Sequence, residues 1–381
     1  MKVIYLSNSQ VPSRGAHSMH VMKMAQAFVQ QGVDFELVAC GVEPRRAGVN
    51  VDIKTLYGLR SDIPILLIKP LPFLKGYGIA IQESAYAAFK RPDLVLTRDI
   101  AAAAGTIALG IRTLLELHAP DTGQVQPKLF EWLIRRRAFA GLIVITHALK
   151  SEILRLHGRR LPAERILVAP DGVDLEQFVN VPSASEARKQ LGLPDKFTAG
   201  YAGHLYPGRG IEIILEMARR RPDNQFLVVG GNPEDVETYK NAAARSSIAN
   251  ILFTGFVPNG VLPVYLAACD LLLMPYQNKV SVSGGGDTSR WMSPMKAFEY
   301  MAAKRPILVS DLPVLGEIFD DTNSIICKHN ELSEWENALL MIKNNPEAAS
   351  SLALRASLSS RSYSWEYRVK RILKHGRCWT G

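Results

Sequence analysis

Short runs of β-branched and aliphatic residues, none with polar alternation, recur along this chain between segments of helical period: "KVIYLS", a helix over Ala16–Gln31, then "DFELVAC". A strand that is apolar at every position needs cover on both faces, which a parallel sheet wrapped in helices provides. The rhythm continues through "DLVLTR" (Asp93–Arg98), an Ala-rich helix, "TLLELHA" (Thr113–Ala119), a helix around Pro127–Ala140, "LIVITH" (Leu142–His147) and "RILVAP" (Arg165–Pro170). After the polar "VNVPSASEARKQLGLPDK" it resumes at "FTAGYAG". Helices are predicted from about Ile211, near Pro233–Ser246 and about Val261–Ala268, with strands at "QFLVVGG", "NILFTGF", "LLLMPY" and "PILVSD". The predicted class is therefore α/β, with two doubly wound Rossmann-like domains in tandem and a cleft between them. A chain of 381 residues exceeds what one core serves. The polar segment sets the boundary, giving domains 1–180 and 181–360 and a terminal helix over 361–381.

Charge is uneven. Residues 1–170 hold 22 Lys and Arg against 13 Asp and Glu, whereas the rest hold 23 of each, so the first half carries the whole net charge of +9. A basic surface attracts nucleotide phosphates, nucleic acids or anionic lipids, and charge does not choose among them; it equally serves solubility. The four cysteines lie far apart without C-x-x-C spacing, which disfavours disulfide and zinc frameworks and fits a reducing cytosol. No run reaches the ~20 apolar residues a membrane span needs, and "MKVIYLS" reads as a first strand rather than a signal peptide.

In doubly wound sheets, ligands sit beyond the carboxyl ends of the strands, where loops meet helix N-termini. After the first strand, "NSQVPSRGAHSMH" carries Gly15, which permits close backbone approach to a ligand; His17 and His20 read equally as packing residues. The turn is not G-x-G-x-x-G, so a dinucleotide fingerprint is absent. In "YAGHLYPGRGIEIILEMA", Gly203, His204, Arg209 and Gly210 lie between a strand and a helix, and Arg209 offers forked donors for phosphate oxygens.

"SPMKAFEYMAAKRPILVSD" (Ser293–Asp311) opens a further helix, with Ser293 as its expected cap and Pro294 in its first turn. Lys296 also lies in that turn, where the helix dipole disfavours a cation unless an anion offsets it. Glu299, one turn on, has the reach to accept bonds from two vicinal hydroxyls such as those of a ribose. The preceding "QNKVSVSGGGDTSRWM", with Gly284, Gly285 and Gly286, reads as a lid or sugar-binding loop. His118 ends "TLLELHA" at the sheet rim, placed either to bond a substrate hydroxyl or as a structural histidine.

With these residues placed, the chain resembles glycosyltransferase family 4, the retaining sugar-nucleotide transferases of GT-B fold, over nearly its whole length. "YLSNSQVPSRGAHSMHVMKMA", "ILVAPDGVDLEQF", "AGHLYPGRGIEIILEMA", "NILFTGFVPNGVLPVYLAACDLLLMPY", "SPMKAFEYMAAKRPILVSD" and the terminal "SWEYRVKRIL" carry the resemblance, the last as a helix that crosses back to the first domain. It implies a donor-binding set of Gly15, His204, Arg209, Phe256, Val257, Ser293, Met295, Lys296 and Glu299. Arg209 and Lys296 would hold the diphosphate, Glu299 the ribose, and Phe256 and Val257 would lie near the base. His118, Arg209 and Lys296 are the catalytic candidates. The family's usual arginine after the first glycine is His204 here, and the first Glu of its E-x7-E pair is Trp291, so the Gly284–Asp287 loop supplies a substitute or the donor differs.

The expected reaction moves a sugar from a nucleoside-diphosphate sugar to a glycan or lipid-linked acceptor in bacterial polysaccharide or lipopolysaccharide biosynthesis. The expectation includes no cofactor, no metal and no nucleic-acid partner. "PILLIKPLPFLKGYG" and "LFEWLIRRRAFAG" suggest contact with an anionic membrane surface, hence a cytoplasmic protein lying on the inner face of the plasma membrane. Two alternatives stay open: a sugar-nucleotide 2-epimerase on the same fold, and a non-catalytic sugar-nucleotide-binding protein.

Overall fold

A computed structural model describes residues 1–43, 51–69, 77–120, 126–282 and 285–378. The chain forms two compact units, Met1–Asp171 with Trp365–Gly381, and Gly172–Ser364.

Among the described residues, unit 1 holds seven strands, β1 (Lys2–Val11), β2 (Asp34–Gly41), β3 (Ile65–Ile68), β4 (Leu94–Thr97), β5 (Thr113–Leu117), β6 (Phe139–Val144) and β7 (Ile166–Val168). They pair in parallel in the order β3-β2-β1-β4-β5-β6-β7. All residues of β4, β5 and β6 are buried, which is why these runs lack alternation. The crossovers include α1 (Ala16–Gln30), α2 (Ile53–Tyr57), α3 (Gly78–Lys90), α4 (Ile100–Ala108), α5 (Gln126–Leu133) and α6 (His147–His157). Asp99 starts α4 by accepting from the amide of Ala101, and Thr146 starts α6 by accepting from Leu149.

Three local expectations change. The helix expected to reach Ala140 ends at Leu133, because Arg135–Arg137 form an exposed turn and β6 already begins at Phe139. Phe130, Leu133 and Ile134 point into the core, so "LFEWLIRRRAFAG" offers solvent its arginines rather than an apolar face. Part of "PILLIKPLPFLKGYG" forms the edge strand β3; its residues 70–76 lie outside the described residues.

Unit 2 holds β8 (Thr198–Ala202), β9 (Gln225–Val229), β10 (Ile251–Gly255), β11 (Leu271–Met274), β12 (Ile307–Ser310) and β13 (Ile325–Cys327), parallel in the order β10-β9-β8-β11-β12-β13. Its helices are α7 (Ala184–Leu191), α8 (Ile211–Arg220), α9 (Pro233–Arg245), α10 (Leu262–Ala267), α11 (Met295–Ala302), α12 (Leu332–Asn344) and α13 (Pro346–Ser360). Ser183 and Glu186 form a capping box that starts α7. The units divide at Asp171/Gly172, ahead of the boundary expected near residue 180. "GVDLEQF" belongs to unit 2: Val173 donates its amide to Tyr363 (2.9 Å), and Val173 and Phe178 join the core that surrounds α11.

The last helix, α14 (Trp365–Cys378), returns to unit 1 and buries Trp365, Val369, Ile372 and Leu373. Each such side chain contributes about 1.5–3 kcal/mol of burial. Gly376 lets the helix lie on the sheet, since a Cβ there would stand 2.9 Å from Leu94 and 3.1 Å from Leu114.

Candidate functional site

In unit 2, β8 gives way to Gly203, whose φ of 138° lies outside what side-chain-bearing residues favour. A Cβ there would stand 2.7 Å from Nζ of Lys296, so the glycine leaves room for that amine. Lys296 is the second residue of α11 and is only 9% exposed. Its Nζ lies 3.7 Å from the ring centre of Tyr201 and 5.1 Å from that of Tyr276. It has no hydrogen-bond partner among the described residues. Burial, reinforced by Arg209, pushes its pKa well below the usual lysine value, with Glu299 acting in the opposite sense. A buried cation at the positive end of a helix is uncompensated until an anion joins it.

Arg209 is fixed from several sides. Its Nη1 donates to the Tyr276 hydroxyl (2.6 Å) and Nη2 to the Ser281 carbonyl (3.2 Å), and the guanidinium lies 4.8 Å from the Tyr276 ring centre. The flanking Gly208 and Gly210 have φ of 82° and 79°. A Cβ on either would overlap the carbonyl oxygen of Lys279 or Pro275, so the "PGRG" turn presses against the 275–280 loop. His204 stacks on Tyr206 at 4.8 Å and 7°. Burial, then Arg209 and Lys296, lower its pKa to about 4, so its ring is neutral near pH 7.

The carboxyl ends of β8, β9 and β10 converge here: Gly230 donates its amide to Gly255 (2.8 Å) and its backbone abuts Gly203. Phe256 and Val257 follow β10 and are half-buried. On α11, Glu299 lies one turn from Lys296, and its Oε1 accepts from Nδ2 of Asn259 at 3.0 Å. The structure moves the start of this helix by one residue. Pro294 is the N-cap, with ψ of 121° and no side-chain capping bond, and Met295 is the first helical residue. Ser293, expected as the cap, is buried ahead of it; a residue preceding proline is disfavoured in helical conformation. Pro294 itself offers no side-chain cap to the first turn of α11.

Of the glycine-rich loop, Gly284 lies outside the described residues. Asp287, its one carboxylate, is committed to the loop's own fold. Oδ1 accepts from the amides of Val280 and Ser289 (both 2.9 Å), and Oδ2 from the Ser289 hydroxyl (3.0 Å). Trp291 is half-buried, with the guanidinium of Arg290 4.9 Å from its ring centre.

In unit 1, Gly15 is the N-cap of α1 with φ of −72°, a conformation open to any residue. Its Cβ would meet only the Ser13 hydroxyl, at 3.3 Å, so the backbone is approachable there. The first turn of α1 has neither a capping side chain nor an acid. His118 follows β5, and its Nε2 lies 2.6 Å from Oε1 of the fully buried Glu116. That oxygen is also 3.0 Å from Nε2 of His20 on α1, and Oε2 is 3.1 Å from Nη2 of Arg368 on α14. Nδ1 of His20 reaches Oδ1 of Asp171 at 2.9 Å, and its ring meets those of His118 and Trp365 edge-on at 5.1 and 5.3 Å.

Burial would raise the pKa of Glu116, but Arg368 and His20 outweigh it and hold the carboxyl well below its usual range. Burial and Arg98 bring His118 down to about 4. Sequence reasoning reached His118 but missed Glu116, Asp171 and Arg368. The available signal was the E-x-H spacing on a strand, which puts two side chains on one face. It also missed Tyr201, Tyr276 and Asn259, which surround the residues it named.

Residues 17–177 match the family model described as Glycosyltransferase Family 4, and residues 183–361 that of Glycosyl transferases group 1. The chain is 30% identical over 152 residues to a 2-deoxystreptamine glucosyltransferase of Streptomyces kanamyceticus, covering 38% of each chain. It is 24% identical over 281 residues to an alpha-D-kanosaminyltransferase of the same organism, 67% of this chain and 68% of that one. The chain thus spans between about a third and two thirds of the curated relatives it matches. Among solved structures, Anabaena Alr3699/HepE in complex with UDP superposes with a TM-score of 0.76 at 16% identity, covering 98% of this chain and 99% of that one. A sucrose-phosphate synthase from Thermosynechococcus elongatus superposes at 0.73, also at 16% identity, covering 99% of each. Among the described residues no helix is long and apolar enough to cross a membrane. The two family models match consecutively, one on each unit, and the architecture agrees: the chain belongs to glycosyltransferase family 4.

Proposed function

We propose that this protein is a retaining glycosyltransferase that moves a sugar from a nucleoside-diphosphate sugar to a glycan or lipid-linked acceptor in bacterial surface-polysaccharide or lipopolysaccharide synthesis. The observation that carries the reading is the buried amine of Lys296, without a hydrogen-bond partner among the described residues, beside Arg209 at the start of α11. A diphosphate supplies the negative charge that arrangement lacks. Relatives support the sugar-nucleotide class, since Alr3699/HepE was solved with UDP-glucose. An alpha-monoglucosyldiacylglycerol synthase of Acholeplasma laidlawii, 25% identical over 213 residues, favours a lipid among the candidate acceptors.

In this mechanism, charge develops on the leaving diphosphate as the glycosidic bond breaks. Arg209, Lys296 and the amides of the α11 first turn, at Met295, take it up in a site with little water; no metal is required for that step. Glu299, oriented by Asn259, accepts from the ribose hydroxyls, and the base lies at Phe256 and Val257. Neutral His204 replaces a cation near the phosphates with a ring that bonds without adding charge. Attack on the same face lets a donor phosphate oxygen take the acceptor proton, so configuration is retained. We assign contact with an anionic membrane to unit 1, where Arg135–Arg137 are exposed, as are Tyr77, which caps α3, and Ile81 and Phe89 on that helix.

The test is product analysis with UDP-, GDP- and ADP-sugars and a lipid-linked glycan acceptor. Free nucleoside diphosphate in step with a product of the donor's anomeric configuration supports the assignment. Inversion would remove the front-face mechanism. An epimerised sugar formed without acceptor would identify the epimerase, and no turnover of any donor would identify a binding protein. Sedimentation with vesicles containing anionic lipid tests the membrane surface.

A further inference from the structure

The family resemblance makes His118 a catalytic candidate that would bond a substrate hydroxyl, but leaves open which ring nitrogen faces the sugar and what decides it. We propose that Glu116 and His20 are positioning residues that lock His118 in one tautomer, so that its Nδ1 presents a lone pair to a hydroxyl of the substrate. This inference rests on the proposed function for its consequence but not for its geometry.

Oε1 of Glu116, on β5, lies 2.6 Å from Nε2 of His118, which follows the strand. An ionised carboxylate only accepts hydrogen bonds. Glu116 is ionised because Arg368 stands 3.1 Å from Oε2 and His20 3.0 Å from Oε1 inside a fully buried site. His118 therefore donates from Nε2. A neutral imidazole with Nε2 protonated carries its lone pair on Nδ1, which makes His118 an acceptor from the sugar rather than a donor to it.

His20 holds the arrangement from the other side. Its Nδ1 is tied to Asp171 at 2.9 Å, and its ring meets His118 edge-on at 5.1 Å, which restricts rotation of His118. The atoms His20 Nε2, Glu116 Oε1 and His118 Nε2 are also close enough to ligate a metal ion. Arg368, with its guanidinium on the same carboxylate, already supplies the positive charge there, so a second cation would be repelled.

Replacement of Glu116 by glutamine makes a sharp prediction. The guanidinium of Arg368 already donates to Pro170, Met24 and Ala169, but its charge 3.1 Å from Oε2 repels an amide NH2, so the amide oxygen turns to Arg368 and the NH2 to His118. A donor facing Nε2 forces the proton onto Nδ1 and inverts the tautomer. Turnover should fall about 10- to 100-fold, the range for an orienting partner, with the KM for donor changed less than about threefold.

The experiment is 15N NMR of the imidazole nitrogens in full-length protein labelled at histidine, assigned with His118→Asn. Wild type should show a pyrrole-type Nε2 and a pyridine-type Nδ1 for His118, and Glu116→Gln the reverse together with the loss of turnover. A protonated Nδ1 in wild type overturns the proposal, as does a Glu116→Gln variant with undiminished turnover. Stoichiometric zinc retained through dialysis against chelator, and broadening these resonances, also overturns it in favour of a metal site. The wild-type spectrum needs neither turnover nor a variant. It decides the proposal even if Glu116→Gln fails to fold, and separates its failure from failure of the transferase reading.

Discussion

Replacing Lys296 with methionine separates a residue that serves a ligand from one that serves the fold, because the two roles predict opposite signs. Without ligand, the amine stacks on Tyr201 at 3.7 Å, a desolvated cation–π contact of about 2 kcal/mol when charged. Against this stands a buried donor with no partner, which costs about 1–3 kcal/mol. The terms nearly cancel, so the ligand-free variant should unfold within about 1 kcal/mol of wild type, or roughly 2–4 °C in Tm for a unit of this size. With a nucleoside diphosphate present, the variant loses a charge-assisted bond of about 1.5–3 kcal/mol, an affinity loss of roughly 10- to 150-fold.

The assay is thermal unfolding with and without ligand. Ligand at about 100 times its Kd stabilises wild type by about 2.7 kcal/mol, and the variant should keep only about 0.3–1.4 kcal/mol of that shift. The pH dependence adds a second readout. The folded-state pKa of Lys296 is lowered below its unfolded value of 10.5, so between the two the unfolded chain binds more protons. Wild-type stability should then gain from this group as pH rises through that window, and the methionine variant should lack the gain. A variant that keeps the full ligand shift, or whose ligand-free Tm collapses by more than about 10 °C, would refute the reasoning.

Asn259→Ala frees Glu299 from its 3.0 Å partner and should raise the KM for donor several-fold with kcat little changed, measured by initial rates. Gly210→Ala places a Cβ against the Pro275 carbonyl at a φ of 79° and should cost about 3 kcal/mol or more, seen in denaturant unfolding. Gly15→Ala meets only the Ser13 hydroxyl at 3.3 Å; it should fold normally yet lose turnover, because the side chain occupies the approach to the backbone. With His118 held at about 4, the acid limb of kcat should fall below about pH 5 rather than near the usual imidazole range.

The unit 2 site was largely legible in the chain because its parts are contiguous. "AGHLYPGRG" and "SPMKAFE" each join a strand end to a helix start, so spacing alone places Arg209, Lys296 and Glu299 above the sheet. Helix starts were legible only to within a residue: Ser293 reads as a cap, yet proline after it moves the cap to Pro294. Less visible were partners brought in from other elements, such as Tyr276 under Arg209 and Asn259 on Glu299. The buried network of unit 1 was hidden for the same reason. His20, Glu116, Asp171 and Arg368 come from a helix, a strand, a strand end and the final helix, and the last lies nearly 200 residues beyond Asp171 in sequence. The edge strand β3 was missed because "ILLI" merges with the apolar residues after it, and periodicity cannot divide such a run.

The central claim is that unit 2 grips a diphosphate through Arg209, Lys296 and the start of α11. Calorimetric titration of UDP, GDP and ADP beside uridine, guanosine and adenosine tests it most directly. The account predicts that at least one diphosphate binds 100-fold or more tightly than its own nucleoside, about 2.7 kcal/mol or more, and that Arg209→Ala with Lys296→Met erases the difference. Equal affinity of nucleoside and diphosphate, or a preference that survives in the double variant, would contradict it.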